Sequence, residues 1–227
     1  MTYAIVLAAG MGRQMEADRP KQFLDLAGQP ILVHTLAAFQ KAPSIDRIVV
    51  VGSEDALVDV CDLADPFSKT ESVVPGGAER QDSVREGLRA VPRGADLVAV
   101  HDGARPLVLV DEIEATVTAA REIGAAVIGQ PVSDTIKRGR EGKAIETLDR
   151  SELWAVQTPQ VFKADVLREA HAAADRDGFL GTDDTALAER VGQTVALVEG
   201  SSDNIKVTRP GDVERAGDIL KRRAGGQ

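Results

Sequence analysis

Continuous apolar runs alternate with amphipathic segments along most of the chain. The runs YAIVLAA and RIVVVG predict strands buried on both faces, as in parallel sheets. Between such runs, apolar residues recur at helical spacing; in AERQDSVREGLRAV, for example, Val84, Leu88 and Val91 share one face. This alternation predicts an α/β fold with a mainly parallel sheet and helices on both of its faces. In such sheets, ligands bind at the loops beyond the carboxyl ends of the strands.

The pattern changes between about residues 130 and 160. There the polar turn RGREGK lies between two extended stretches, which is typical of a hairpin. We expect a hairpin arm at about residues 132–155, leaving a single domain formed by residues 1–227. Because an isolated hairpin is only marginally stable in water, we expect this arm to pack against a second subunit.

Helix and strand signals resume after the arm. KADVLREAHAAAD predicts a helix, TVALVEG a strand, and residues from about 211 a terminal helix. In GTDDTALAERVG, we expect Thr182 to be the N-cap, with Asp183 and Asp184 favourable in the first helical turn. SDNIKVTRP predicts a short extended piece that carries Lys206, a lysine that could also be simply solvated along an apolar surface.

Composition narrows the functional classes. The net charge of −9 disfavours nonspecific binding to nucleic acids or to membrane surfaces, and no apolar stretch approaches the roughly 20 residues that a membrane span needs. The single cysteine, Cys61, excludes an intrachain disulfide and a thiolate cluster; its apolar neighbours favour a buried position. Three separated histidines disfavour a histidine metal site. We expect a cytoplasmic protein that binds small molecules.

The first strand leads into a glycine-containing basic loop, LAAGMGRQMEADRPKQ. Gly10 and Gly12 allow close approach of the backbone to a phosphate, although ordinary turn glycines would look the same. Arg13 and Lys21 strengthen the anion-binding interpretation. The loop is not a Walker loop, and Met15 stands where a dinucleotide loop requires a third glycine.

A second glycine-rich loop, PGGAERQDS, also leaves a strand. Gly76 and Gly77 precede a helix expected from near Ala78, so that backbone amides are again available to a ligand. Ser83 offers a small hydroxyl that could contact a base; alternatively, it occupies a solvated helix position.

The segment HDGARP ends another predicted strand. Because adjacent strand residues point to opposite faces, His101 and Asp102 are not expected to form a direct acid–base pair, and His101 is expected to be packed. Asp102, at the end of the strand, is well placed to bind a metal ion, and Arg105 could contact phosphate or sugar. Scattered cations without an activated nucleophile favour phosphate transfer by positioning and charge neutralisation.

Several of these segments occur together and in order across nearly the whole chain. They are LAAGMG…PKQ, GG.ER.DSV, HDGARP, DTIK, LDR..LW..QTPQ.F, TDD and DNIKVTRP. The set closely resembles the 2-C-methyl-D-erythritol 4-phosphate cytidylyltransferases, enzymes of the non-mevalonate isoprenoid pathway. The resemblance implies a Rossmann-like nucleotidyltransferase fold and a homodimer interlocked by the arm. It also implies transfer of a cytidylyl group from CTP to 2-C-methyl-D-erythritol 4-phosphate, giving 4-diphosphocytidyl-2-C-methyl-D-erythritol and pyrophosphate.

The same resemblance implies residue roles. The acceptor phosphate would attack the α-phosphorus of CTP in line, with Mg²⁺ bridging the triphosphate. The implied nucleotide-loop residues are Ala8, Ala9, Gly10, Gly12 and Arg13; those of the cytosine-side loop are Gly77, Arg80 and Ser83. Asp102 is implied near the metal and ribose, Arg105 as a substrate contact, and Lys21 and Lys206 as catalytic lysines. The implied contacts of the methylerythritol phosphate are Thr135, Arg150 and Thr182, some of them reaching across the dimer.

The first loop departs from the family pattern. The family has an arginine where this chain has Gln14, and the arginine stands one position earlier, at Arg13. Glutamine donates a hydrogen bond but has neither the charge nor the bidentate fork of arginine. We therefore hypothesise a slowed form of the catalytic site. Gly103, where alanine is commoner, is a minor change.

Two other functions share parts of this pattern, and a third is disfavoured by it. A cytidylyltransferase for another polyol phosphate, such as ribitol 5-phosphate, would share the loops and differ in the acceptor pocket. A CTP-binding regulatory module without turnover is consistent with Gln14. However, Lys21, Arg150 and Lys206 lie in three distant segments, and simple binding does not need basic residues spread in this way. Met15 disfavours a NAD-dependent dehydrogenase.

Overall fold

The computed structural model describes residues 1–10 and 21–225, Lys21 by its backbone alone. The described helices are α1 Ile31–Lys41, α2 Leu57–Ala64, α3 Arg80–Ala90, α4 Val110–Ile123, α5 Ala164–Asp177, α6 Asp184–Arg190 and α7 Pro210–Gly225. The described strands are β1 Thr2–Ala8, β2 Asp25–Leu26, β3 Gln29–Pro30, β4 Arg47–Gly52, β5 Thr70–Pro75, β6 Leu97–Asp102, β7 Ala125–Pro131, β8 Lys137–Arg140, β9 Lys143–Thr147, β10 Trp154–Lys163 and β11 Ala196–Glu199.

A seven-stranded sheet forms the centre of the molecule, in the order β11–β7–β10–β6–β1–β4–β5. Every neighbouring pair is parallel except those that involve β10, which runs antiparallel to β6 and to β7. Helices cover both faces because alternate strand residues point to opposite sides. In β1, Val6 packs with α1, α2 and α4, whereas Ile5 packs with α3, α5 and α6. The predicted α/β class is confirmed.

The helical pattern of AERQDSVREGLRAV is also confirmed. Helix α3 begins at Arg80, two residues after the predicted start, and Val84, Leu88 and Val91 are buried against the sheet. None of the helices within the described ranges combines the length and apolar character that a membrane crossing requires.

The segment from 130 to 160 divides into two parts. Strands β8 and β9 form the expected hairpin, and all of their residues are exposed. The second half of the segment from 130 to 160, however, returns to the central sheet as the ten-residue strand β10, in which Val161 and Phe162 are buried. This central antiparallel strand was not predicted, because polar residues interrupt its apolar pattern where its register shifts between Val156 and Gln160.

Two local predictions are wrong. Cys61 is exposed, because Val60 and Ala64 form the buried face of α2 and Cys61 lies beside that face. The N-cap of α6 is Asp183 rather than Thr182: its side chain accepts a hydrogen bond from the backbone N–H of Ala186 at 2.9 Å. A carboxylate serves this position as well as a hydroxyl does.

Candidate functional site

A cavity of about 750 Å³ lies at the carboxyl ends of β1, β4, β5 and β6. This is where ligands bind in α/β sheets, and the volume is in the usual range of small-molecule sites. Its described lining consists of Leu7, Ala9, Gly10, Ser53, Glu54, Asp55, Gly76, Gly77, Ala78, Glu79, Arg80, Ser83, Asp102, Ala104 and Lys206. Three of the loops selected from the sequence therefore meet at one cavity.

The loop after β5 is closely packed against the start of α3. The hydroxyl of Ser83 accepts a hydrogen bond from Gly77 N–H at 3.2 Å and lies 3.2 Å from the carbonyl of Glu79, to which it donates. A Cβ added to Gly77 would lie 2.3 Å from the Cβ of Asp82, so only glycine fits without movement. Ser83 is buried and lines the cavity, so the solvated alternative is wrong.

Asp102 is the electrostatic centre of the cavity floor. Lys206 Nζ lies 2.8 Å from its carboxylate, Arg80 Nε 3.3 Å and Arg105 Nε 3.7 Å. Burial alone would raise the pKa of Asp102, but the three cations together lower it well below its usual range. The three cations place guanidinium and ammonium groups around one carboxylate, in a cavity whose described lining also includes Glu54, Asp55 and Glu79.

Arg80 connects this carboxylate to a second buried one. Its Nη1 donates to Asp184 at 2.6 Å, and His171 Nε2 donates to the other oxygen of Asp184 at 3.0 Å. Burial would lower the pKa of Arg80, but Asp184 and Asp102 raise it. From the sequence, Asp184 is expected only as a favourable charge in the first turn of a helix. Nothing in the sequence indicates the contact of Asp184 with Arg80, because Arg80 lies 104 residues away in the chain.

His101 is packed beneath the site, as predicted. Its Nε2 donates to the carbonyl of Arg105 at 3.2 Å, and Thr158 Oγ1 lies 3.0 Å from its Nδ1. Burial lowers the pKa of His101 to about 4. Arg105 is largely buried and donates through Nη1 to the carbonyl of Asn204 at 2.8 Å. Arg105 therefore supports the floor of the cavity and is absent from its described lining.

The remaining residues selected from the sequence lie elsewhere. Ala8 is buried at the end of β1, and Thr135, Arg150 and Thr182 are exposed and do not line the described cavity. Arg150 donates to the carbonyl of Ser133, which ties the two ends of the arm together. Gly12, Arg13 and Gln14 lie outside the described residues, as does the side chain of Lys21.

The donor set limits how a metal ion could be held. Within the described ranges, no group of three or more histidine, cysteine, aspartate or glutamate side chains converges on a metal position. Asp102 offers one carboxylate that Lys206 and Arg80 already contact. Such a site fits Mg²⁺ held mainly by phosphate oxygens with one carboxylate, which is a usual arrangement for this ion.

Comparison with known proteins decides the family. Residues 2–222 match the model of the family described as 2-C-methyl-D-erythritol 4-phosphate cytidylyltransferase. The chain belongs to this family. It is 49% identical to the member from Syntrophotalea carbinolica, covering 96% of this chain and 95% of that one, and 46% identical to the member from Bacillus velezensis, covering 99% and 98%.

Solved structures of cytidylyltransferases share the fold. The 4-diphosphocytidyl-2C-methyl-D-erythritol synthase of Anaerococcus prevotii superposes with a TM-score of 0.87 at 28% identity, covering 97% of this chain and 96% of that one. The 2-C-methyl-D-erythritol 4-phosphate cytidylyltransferase of Thermus thermophilus gives 0.79 at 34%, covering 96% and 98%. The predicted enzyme class is therefore confirmed: the chain is a nucleotidyltransferase that uses CTP.

Proposed function

We propose that the cavity at the carboxyl edge of the sheet transfers the cytidylyl group of CTP to 2-C-methyl-D-erythritol 4-phosphate. A phosphate oxygen of the acceptor attacks the α-phosphorus in line. The bond from the α-phosphorus to the bridging oxygen breaks, and pyrophosphate leaves with that oxygen. The observation that carries the proposal is that Arg80 and Lys206 reach the cavity lining beside Asp102, because cationic groups there can contact the phosphates of CTP.

The chain's own residues would divide the work. The backbone of Ala8, Ala9, Gly10, Gly12 and the loop of Gly77 would hold the nucleotide, with Arg13 and Lys21 adding charge and Ser83 fixing the loop on the cytosine side. Arg80 and Asp102 would orient the phosphates and ribose, and Arg105 would hold Asp102 in place from beneath the cavity. Lys206, which lies both on Asp102 and on the cavity wall, would neutralise charge that develops at the α-phosphate.

Mg²⁺ is the proposed metal, with Asp102 as its protein ligand. When bound, it supplies Lewis-acid stabilisation of the triphosphate charge. The ordinary ionised state of Asp102, which its cationic neighbours secure, is the state that such a ligand requires.

Pyrophosphate release with CTP, Mg²⁺ and 2-C-methyl-D-erythritol 4-phosphate tests this proposal. We expect turnover, and a loss of about 10- to 100-fold in kcat/KM for Lys206→Gln, because one charge-assisted contact contributes about 1.5–3 kcal/mol. Equal turnover with ribitol 5-phosphate would assign a different acceptor. CTP binding without pyrophosphate release from either acceptor would make the protein a binding module.

The arm supports a homodimeric active site. Thr135 and Arg150 belong to the arm segment and do not line the described cavity of their own chain, and Ile145 in β9 is 56% exposed. We infer that the arm reaches a partner's cavity, where Thr135 and Arg150 bind the acceptor phosphate together with Thr182. Replacing residues 134–150 by a short glycine-containing turn should give monomers in sedimentation experiments and abolish turnover. A dimer of unchanged stability would contradict this role.

Gln14 remains the main departure from the family. We propose that the missing guanidinium slows this enzyme, since glutamine cannot neutralise triphosphate charge. Gln14→Arg should raise kcat at saturating CTP, and Gln14→Lys, which restores charge without the bidentate fork, should raise it less. Unchanged kcat in both variants would refute the idea.

Composition supports a small-molecule enzyme of the cytoplasm. A net charge of −9 opposes nonspecific attraction to nucleic acid or anionic membranes, and one cysteine suits a reducing compartment. Fractionation of cells that express the chain, with the arm and both loops intact, tests the location. Recovery with the membrane pellet after a high-salt wash would contradict it.

A further inference from the structure

A second cavity, of about 410 Å³, lies between helices α3 and α5. Its lining consists of Arg85, Leu88, Arg89, Val91, Arg93, Arg168, His171, Ala172 and Asp175. The α5 members recur at helical spacing, so one face of α5 forms one wall, and α3 with the turn after it forms the other. The volume is typical of sites for small organic ligands.

Positive charge dominates this second cavity. Of its four arginines, Arg85 pairs with Asp82 and Asp175, and Arg89 pairs with Glu86. Arg93 and Arg168 have no carboxylate within 4.0 Å among the residues that the structure describes.

The two arginines without a carboxylate partner repel each other. Burial lowers the pKa of Arg168, and the neighbouring charge of Arg93 lowers it further, while Asp165 acts weakly in the opposite direction. Arg168 has a structural role as well, since its Nη2 donates to the carbonyl of Val91 at 2.7 Å, at the end of α3. That role explains Arg168, but it does not explain why the exposed Arg93 stands beside it.

Two buried nitrogen atoms, one in each wall of the cavity, also lack partners. Arg85 Nε and His171 Nδ1 have no hydrogen-bond partner in the described part of the chain. His171 is 4% exposed, and its Nε2 is already committed to Asp184. A buried polar atom without a partner destabilises the fold, so a ligand that pairs with these two atoms gains affinity from them.

We propose that this second cavity binds a small organic phosphate, a phosphate monoester with a short apolar body. Phosphate oxygens would accept from Arg93, Arg168 and Arg85 Nε, and the hydroxyl of a monoanionic phosphate would donate to His171 Nδ1. The apolar body would cover Leu88, Val91 and Ala172, which alternate with the arginines in the lining. This function lies outside the proposed transfer reaction and needs none of the residues assigned to it.

Calorimetric titration of the full chain with phenyl phosphate tests the proposal. The protein is first saturated with CTP and Mg²⁺ in the absence of acceptor, so that the nucleotide site is filled. We expect binding that Arg93→Gln weakens at least fivefold, whereas Arg176→Gln, an exposed arginine of α5 outside the lining, leaves it unchanged. Inorganic phosphate and phenol, each lacking one half of the probe, should bind more weakly than phenyl phosphate.

The opposite outcomes are equally distinct. Equal affinity of wild type and Arg93→Gln, or phenol binding as tightly as phenyl phosphate, would overturn the proposal. If the wild-type protein sediments with phosphatidic acid vesicles and Arg93→Gln does not, the ligand is a lipid headgroup, and the proposal of a small organic phosphate is also overturned. Without phenyl phosphate, the Arg93→Gln variant should release pyrophosphate as fast as wild type. A failure of the proposed transfer reaction would therefore be seen in the wild-type assay and is distinguishable from a failure of the second cavity to bind phosphate.

Discussion

Asp102 is the carboxylate that three cationic side chains of the site share. It is 7% exposed and contacts cations from α3, from the loop after β6 and from the stretch before α7. Its position at the end of a strand could be read from HDGARP. The contact between Asp102 and Arg80 could not be predicted from the sequence. The apolar pattern determines which face of α3 is buried, but it does not determine where a long side chain at the start of that helix reaches.

Asp102→Asn should therefore reduce both stability and activity. Removing one member of a buried ion pair typically costs about 3–5 kcal/mol, because the remaining charges lose their partner. We expect a clear fall in the thermal midpoint and at least a 100-fold loss of kcat/KM for CTP in the pyrophosphate assay. Asp96→Asn, which removes an exposed carboxylate just before the same strand, is the control and should change neither quantity appreciably.

Arg80→Lys tests whether the fork of the guanidinium is needed. Arginine reaches Asp102 through Nε and Asp184 through Nη1, whereas a single ammonium group cannot span both carboxylates. We expect a 10-fold or greater rise in KM for CTP with a smaller change in kcat. Arg85→Lys provides a matched control, since Arg85 also lies on α3 and joins two carboxylates, Asp82 of α3 and Asp175 of α5, but does not line the CTP cavity. An equal effect in both variants would refute the role of Arg80.

At the scale of elements, the loop between β5 and α3 depends on close backbone contact. This loop could be located from the sequence, because two glycines between an apolar run and an amphipathic segment are typical of a tight connection from a strand to a helix. The sequence did not reveal that Glu79 and Asp82 cap α3 reciprocally, each side chain accepting from the other residue's backbone, which fixes the direction from which the helix meets the cavity.

Gly77→Ala should disturb the loop through simple crowding. The new methyl carbon would lie 2.3 Å from Asp82 Cβ, so that the loop must shift away from α3. We expect a loss of stability of about 1–3 kcal/mol and a raised KM for CTP. Gly94→Ala adds the same methyl group where nothing lies within 4 Å, and it should be neutral in unfolding and kinetic measurements. Unfolding curves that coincide for both variants would contradict the expectation.

Strand β10 shows where pattern reading ends at this scale. Strands β1, β4 and β6 are continuous apolar runs, so their burial follows from composition. In β10 the polar residues Gln157, Thr158 and Gln160 occupy the middle of the strand, and their partners lie in distant segments: Asn204, His101 and Asp183. Its place between β6 and β7 is a property of the assembled sheet, which no local window contains.

At the scale of the whole molecule, His101 links stability to pH. Its pKa is lowered to about 4 in the fold, against about 6.5 in an unfolded chain, so the folded state binds fewer protons. The contribution of His101 to the free energy of unfolding is therefore fully present above pH 6.5. It is lost as the pH falls towards 4, and the loss is on the order of 3 kcal/mol.

Denaturant unfolding at pH 7, 6, 5 and 4 measures this loss. His101→Gln removes the titrating ring, so its stability should be lower at pH 7 and should fall less steeply between pH 6.5 and 4. Asp102 and Asp184, whose pKa values are lowered, should contribute a further loss only below about pH 4. Parallel pH profiles of wild type and His101→Gln would contradict the assignment to His101.

The junction of the arm with the sheet has a consequence for how such chains can change. Pro131 of β7 lies opposite Trp154 of β10 in an antiparallel ladder, so the chain leaves and re-enters the body at neighbouring positions. Everything between those two residues is an excursion that the sheet itself does not need for closure. Insertions and deletions in this segment can therefore change the arm while the strand order of the body stays the same. In the proposed dimer, changes in the arm would alter the subunit contacts and, through Thr135 and Arg150, acceptor binding together.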